Sequence, residues 1–262
     1  MSRHVDTGSN GLPIVNGTEI ISTRNLPDRI RSVFKYEHLT FIQSRCFPIV
    51  YNSSDNFVLS APTGSGKTTI LELAICRLLV QSQPHEFKII YQAPTKALCS
   101  EKQKDWSTRF RQLDVNVVEL TGDTEVHQLK SISNADIIVT TPEKWDSMTR
   151  KWKDHKKFMD LVKLFLIDEV HILKEERGAS LEAVVSRMKN VGTNVRFVAL
   201  SATVPNSDDI AVWLGRNSRS PDQPARLGVF GEEHRPIQLE KFVIPIKGPQ
   251  NDFSFDKTCT SR

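Results

Sequence analysis

Ala61-Pro62-Thr63-Gly64-Ser65-Gly66-Lys67-Thr68 directly follows an apolar run, Phe57-Val58-Leu59. Two glycines let a backbone close around an anion with no Cβ in the way. A helix that starts near Lys67 turns its free N–H groups, and the positive end of its dipole, toward the same point. In such a loop Lys67 meets the β- and γ-phosphates of a nucleoside triphosphate, and the Thr68 hydroxyl ligates Mg²⁺. The first position holds Ala61 where the strict pattern has glycine. A Gly/Ser-rich turn would explain the loop alone. It does not explain strand, loop, Gly-Lys-Thr and apolar helix in that order.

A second apolar run, Leu164-Phe165-Leu166-Ile167, ends in Asp168-Glu169-Val170-His171. A carboxylate at the end of a buried strand suits Mg²⁺, so Asp168 is the candidate metal residue beside Thr68. Glu169 is placed to orient or deprotonate an attacking water. His171 either links this site to Ser201-Ala202-Thr203 or packs as an ordinary polar residue. Loop and acidic pair together predict binding and hydrolysis of a nucleoside triphosphate. The chain has no Asn-Lys-x-Asp to read guanine.

Elements of an α/β type must hold these residues. Six apolar runs read as buried strands: 56–60, 88–92, 117–120, 136–139, 164–167 and 196–200. Helix-like spacing over 68–80, 97–110 and 180–189 separates them. Continuous apolar strands alternating with helices predict a parallel sheet covered on both faces. Nearly every strand runs into a polar cluster: the phosphate loop, Pro94-Thr95-Lys96, Thr121-Gly122-Asp123, Thr140-Thr141-Pro142-Glu143, Asp168-Glu169 and Ser201-Ala202-Thr203. Ligands of open parallel sheets bind beyond the carboxyl ends of the strands. The clusters therefore predict one continuous functional edge.

Other residues leave two readings open. Thr95 and Thr141 suit helix N-caps, with Pro142 at the first helical position, and also suit contact with a phosphodiester backbone. Arg150 to Lys157 is the densest basic run and contains Trp152. It is either a nucleic-acid track with a stacking aromatic or a solvated helix face. Trp145 and Trp213 read as packing residues. Gln43, two residues after Phe41, either reads the N6/N7 edge of adenine or is an exposed helical glutamine.

The 262 residues hold one α/β domain with tails, or two small domains. Apolar content of 39% and charged content of 25% fit a globular chain. A net charge of +4 permits nucleic-acid contact without demonstrating it. Cys46, Cys76, Cys99 and Cys259 show no CxxC spacing, so a zinc site or disulfide framework is not expected. No apolar stretch approaches the ~20 residues of a membrane span, and no signal-peptide core is present. Residues 1–25 read as a mobile tail, 26–240 as the globular unit and 241–262 as an extended connection. After Gly215 the strand–helix alternation fails.

The ordered set of motifs resembles the first RecA-like lobe of a superfamily-two helicase. Gln43, Ala61–Thr68, Pro94–Leu98, Thr121–Asp123, Thr140–Asp146, a DEVH box at Asp168–His171 and Ser201–Thr203 occur in the family's order. Arg177-Gly178-Ala179-Ser180-Leu181-Glu182 and Ala211-Val212-Trp213-Leu214-Gly215 are similar to the Ski-two-like branch. Within it, Lys144–Trp152, Val162–His171 and Val184–Lys189 look most like the meiotic crossover-promoting DNA helicases. The resemblance covers about residues 26 to 256.

It implies a RecA-like P-loop fold and nuclear, 3′-to-5′ ATP-dependent DNA unwinding in meiotic recombination. Gln43 would contact adenine. Ala61, Pro62, Thr63, Gly64, Ser65, Gly66, Lys67, Thr68 and Thr69 would hold the phosphates of ATP. Lys67, Asp168, Glu169 and His171 would serve hydrolysis, with Mg²⁺ at Thr68 and Asp168. Pro94, Thr95, Lys96, Thr141 and Pro142 would lie along the DNA, and Ser201 and Thr203 would couple hydrolysis to its movement. Such helicases carry a second RecA-like lobe that supplies arginine fingers, and it is missing here. The chain alone is therefore expected to bind ATP weakly and hydrolyse it poorly. Competing expectations are a P-loop switch that ignores nucleic acid, a non-catalytic binding module, and a spliceosomal or RNA-acting relative.

Overall fold

All six apolar runs become strands. The computed structural model describes residues 14–83, 85–122, 129–150, 156–175, 177–191, 194–235, 237, 240 and 242. The strands are β3 (Phe57–Ser60), β4 (Lys88–Gln92), β5 (Val117–Leu120), β6 (Ile137–Thr140), β7 (Val162–Ile167) and β8 (Arg196–Ser201). A short hairpin, β1 (Ile14–Val15) and β2 (Thr18–Glu19), precedes them, and β9 (Arg226–Val229) follows.

Strands β3 to β9 form one sheet in the order β5-β6-β4-β7-β8-β3-β9. Every neighbouring pair in it is parallel. The register keeps the carboxyl ends level: Ser60 faces Ser201, Ile167 faces both Gln92 and Ala199, and Thr140 faces both Gln92 and Leu120. The polar clusters that follow those residues therefore emerge side by side along one edge.

Successive side chains of a buried strand point to opposite faces. Leu164 and Leu166 enter one core with Leu59, Tyr91 and Val198. Phe165 and Ile167 enter the other with Val58, Ile90 and Ala199. The first face is covered by α3 (Thr68–Gln81) and α4 (Lys96–Arg109), which supply Leu71, Ile75, Cys99 and Trp106. The second is covered by α6 (Pro142–Thr149), α8 (Gly178–Val191) and α9 (Ser207–Leu214), through Trp145, Val184 and Ile210. A helix α2 (Phe41–Val50) packs beside α3, and short helices α1 (Asp28–Arg31), α5 (Leu129–Asn134) and α7 (Lys156–Asp160) complete the described α-helices.

Two expectations change. Residues 14–25 fall inside the expected tail, yet β1 pairs with β2, and Ile20, Ser22 and Thr23 are buried. The turn between them is Asn16-Gly17, both at positive φ (47° and 73°), the backbone that suits a two-residue hairpin. The alternation also does not end at Gly215, because β9 pairs with β3. Gly228 lets β9 pack closely there: a Cβ on it would lie 3.1 Å from the Phe57 ring. Asn56 ties this region together. Its Nδ2 donates to the Gly215 carbonyl (2.8 Å), and its Oδ1 accepts from the Phe197 amide (2.8 Å). Residues 1–13 and most of 241–262 lie outside the described residues, as do Asp123 and the centre of the basic run, including Trp152.

Candidate active site

The phosphate loop joins β3 to α3, and its shape comes from two glycines at positive φ, Gly64 (80°) and Gly66 (82°). A side chain at Gly66 is doubly excluded, since a Cβ would stand 2.6 Å from Gln43 Nε2. Lys67 folds back over the loop. Its Nζ donates to the carbonyls of Ala61 (2.8 Å) and Pro62 (3.2 Å). Burial pushes its pKa down, against the opposing pull of Glu169 and Asp168. The Ser65 hydroxyl is buried without a hydrogen-bond partner. Loop amides, a cation held by its own loop and an unmatched buried hydroxyl suit a polyphosphate.

Asp168 continues β7, and its amide donates to the Gln92 carbonyl (2.9 Å). Its carboxylate is oriented from two sides. Tyr91 donates its hydroxyl to Oδ2 (2.7 Å), and the Glu169 amide donates to Oδ1 (3.1 Å). Burial, then the Asp168 charge, push the Tyr91 phenol well above its usual range, so it remains a donor. Glu169 adopts a left-handed backbone (φ 54°), which lifts it out of the strand direction at the head of a 3₁₀ turn, Val170–Lys174. His171 Nδ1 lies 3.3 Å from Glu169 Oε2 but is not aligned as a hydrogen bond. No hydrogen bond or ion pair joins His171 to Ser201–Thr203 among the described residues.

The Ser201-Ala202-Thr203 segment leaves β8 against the phosphate loop. The Ala61 amide donates to the Ser201 carbonyl (3.2 Å). Ser60, the last residue of β3, spans the two. Its hydroxyl donates to the Ala202 carbonyl (3.2 Å) and accepts from the Val204 amide (3.3 Å). Ser201 is fully buried with an unpartnered hydroxyl, and Thr203 is exposed.

Gln43 is not an exposed helical glutamine. It closes a capping box at the head of α2: the Gln43 backbone N–H donates to Thr40 Oγ1 (3.3 Å), and the Thr40 backbone N–H donates to Gln43 Oε1 (2.8 Å). Its Nε2 donates to the Gly66 carbonyl (3.0 Å). Gln43 thus ties α2 to the phosphate loop. Phe34, Lys35, Tyr36, His38 and Leu39 join Gln43, Thr68 and Thr69 around a cavity of about 160 Å³ beside the loop. Phe34, Lys35, Tyr36, His38 and Leu39 carry no sequence motif, and sequence reasoning missed them. It also missed Tyr91, Ser60 and Arg235, whose positive charge opposes that of Lys67.

Farther along the edge, Thr95 and Thr141 are both N-caps. Their hydroxyls accept from the amides of Leu98 (3.3 Å) and Lys144 (3.4 Å), and Pro142 opens α6. Pro94, Thr95, Lys96, Gly122, Thr141, Glu143, Lys144 and Arg177 line one open cavity of about 480 Å³. Arg177 Nε pairs with Glu143 Oε1 at 2.7 Å. Trp145 is fully buried, as its packing role requires, and Trp213 lies under the Lys189 ammonium. Of the described residues of the basic run, Arg150 pairs with Asp146 and Lys156 with Asp160.

A parallel sheet with a phosphate loop, an Asp-Glu pair and a third strand-end loop in contact defines a RecA-like P-loop lobe. Residues 40–210 match the DEAD/DEAH box helicase family, and the chain belongs to that family. The chain is 46% identical over 245 residues to ATP-dependent DNA helicase MER3 of Saccharomyces cerevisiae, covering 92% of this chain and 20% of that protein. It is 50% identical over 251 residues to the probable ATP-dependent DNA helicase HFM1 of Xenopus tropicalis, covering 89% of this chain and 18% of that protein. The chain thus spans about a fifth of the length of these relatives. Among solved structures it resembles the Mycobacterium smegmatis helicase Lhr bound to ssDNA and AMP-PNP, with a TM-score of 0.69 at 22% identity. That match covers 92% of this chain and 33% of Lhr.

Proposed function

We propose that the chain is the nucleotide-binding lobe of a 3′-to-5′ ATP-dependent DNA helicase that acts in the nucleus during meiotic recombination. The lobe would run over residues 26–240, with 241–262 leading toward a second RecA-like lobe. One observation carries this reading: the register aligns the phosphate loop, the acidic pair and the clusters with no nucleotide role on a single edge. The named activity of relatives at 46% and 50% identity favours DNA as the substrate.

Ala61 to Thr69 would hold the phosphates, with Lys67 turned from its own carbonyls toward them. Gln43 and the cavity beside it would take the adenine. Thr68 and Asp168 fit a hard cation with oxygen ligands, and Mg²⁺ there would neutralise charge on the terminal phosphates. Tyr91 would fix the Asp168 rotamer. Glu169, raised by its left-handed backbone, would orient the attacking water and take its proton, with His171 turned beside it. The contact of Ser60 and Ala61 with Ser201–Val204 would let the phosphate loop move the third loop, coupling hydrolysis through Ser201 and Thr203. Pro94, Thr95, Lys96, Thr141 and Pro142 would follow the strand's backbone, because helix N-termini bind phosphates whether or not a hydroxyl caps them.

ATP turnover measured with and without single-stranded DNA tests the proposal on wild type, Lys67→Ala and Glu169→Gln. The expected result is slow turnover that DNA stimulates and both substitutions abolish. Turnover indifferent to DNA would instead mark a switch. DNA binding without any turnover would mark a passive module, and stimulation by RNA alone would mark an RNA-acting relative.

A further inference from the structure

The opposite edge of the sheet carries a second charged concavity. It lies at the amino ends of β3, β7 and β8, with a volume of about 480 Å³. Arg77, Lys163, Arg196 and Arg219 line it against one carboxylate, Glu86. Among the described residues, none of these four cations lies within 4 Å of a carboxylate.

The two arginines at its wall are held, not paired. Arg196 is 8% exposed and donates to three backbone carbonyls, those of Asp55 (2.9 Å), Val50 (2.9 Å) and Ile49 (3.1 Å). Arg77 Nε is buried and has no hydrogen-bond partner. The acid nearest in sequence to this wall, Asp55, is engaged by Arg216, Arg226 and Asn217. Burial, and then the Arg77 charge, hold Arg196 below the usual arginine range. Two guanidiniums therefore share a wall on which Asp55 attracts Arg196 from a distance but no carboxylate pairs directly with either. Such a wall is costly unless a counter-charge arrives.

We propose that this cavity is an anion site, separate from the phosphate loop, for a small ligand carrying more than one phosphate group. Guanidinium forks match phosphate oxygens in pairs. Cavities of roughly 300–1,000 Å³ are of small-molecule size. An anion seated there would bridge α3 to the start of β8, and α3 is the helix that begins in the phosphate loop.

Calorimetric titration with inorganic pyrophosphate tests this. Lys67→Ala first disables the phosphate loop. The protein should still bind pyrophosphate, and adding Lys163→Ala with Arg219→Ala should weaken that binding roughly a hundredfold. The Lys163→Ala/Arg219→Ala pair in otherwise wild-type protein should leave nucleotide affinity unchanged. Arg219 is exposed and Lys163 half-buried, so the fold should survive both changes, with Arg77→Gln as an independent third variant expected to weaken pyrophosphate binding too. The proposal is overturned if Lys67→Ala alone removes all pyrophosphate binding, or if the pair leaves it unchanged. Tighter binding of a hexaglutamate peptide than of pyrophosphate would also overturn it, marking a docking site for an acidic polypeptide.

Discussion

Asp168 and Lys67 are legible from residue type and spacing, but what holds them ready is not. Tyr91 is an ordinary buried strand residue in the sequence, and only the pairing of β4 with β7 brings its hydroxyl to Asp168. Groups that orient a metal ligand commonly contribute 10–100-fold in affinity. Tyr91→Phe should therefore raise the Mg²⁺ concentration for half-maximal turnover about tenfold, with a smaller change in ATP affinity. A titration of ATP turnover against Mg²⁺ reads this, and an unchanged midpoint would remove Tyr91 from the site. Ser60 is hidden for the same reason, since its partners lie 142 and 144 residues away.

At the scale of elements, legibility follows burial. Strands covered on both faces must be continuously apolar, so β3, β4, β7 and β8 stand out. The edge strand β9 has one side open, is exposed at both ends and carries Arg226 and Gly228, so it leaves no such run. The β1–β2 hairpin did leave a signal, Asn16-Gly17, within a polar segment that otherwise resembles a tail. Helix α2 shows how an element's end becomes part of a site. Removing the capping hydroxyl with Thr40→Ala should cost about 1 kcal/mol of stability. It should also weaken nucleotide binding, because the Gln43 backbone amide loses its Thr40 Oγ1 partner, which loosens the turn from which the Gln43 side chain reaches the Gly66 carbonyl. Denaturant unfolding and nucleotide titration on the same variant separate the two effects. Loss of stability with unchanged nucleotide affinity would confine Gln43 to a capping role.

The whole molecule is bound together across its second face by Asp146, which joins α6 to α8. Its carboxylate pairs with Arg187 at 2.8 Å and Arg150 at 2.7 Å. Burial alone would raise the Asp146 pKa. Hydrogen bonds from Arg150 and Arg187 outweigh it and hold the carboxyl below its usual range. A carboxyl depressed in the folded state stabilises fully above its unfolded pKa of about 3.9 and loses that contribution as pH falls through the folded value. Asp146→Asn should lower the melting temperature at pH 7, and the difference from wild type should shrink below about pH 4. A difference that persists unchanged into acid would show that shape, not charge, holds α6 to α8.

The same scale sets what this chain can do. Its edge presents the phosphate loop and the acidic pair from one side, and under the proposed helicase reading further cations would come from a second lobe. Slow turnover is therefore compatible with a fully formed nucleotide site, and binding is the more direct reading of it. The decisive measurement is the affinity of a fluorescent ATP analogue with Mg²⁺ for the wild-type chain and for Lys67→Ala. The site described here predicts saturable, Mg²⁺-dependent binding that Lys67→Ala weakens at least tenfold, the equivalent of about 1.4 kcal/mol. Equal affinity in the two proteins would contradict it.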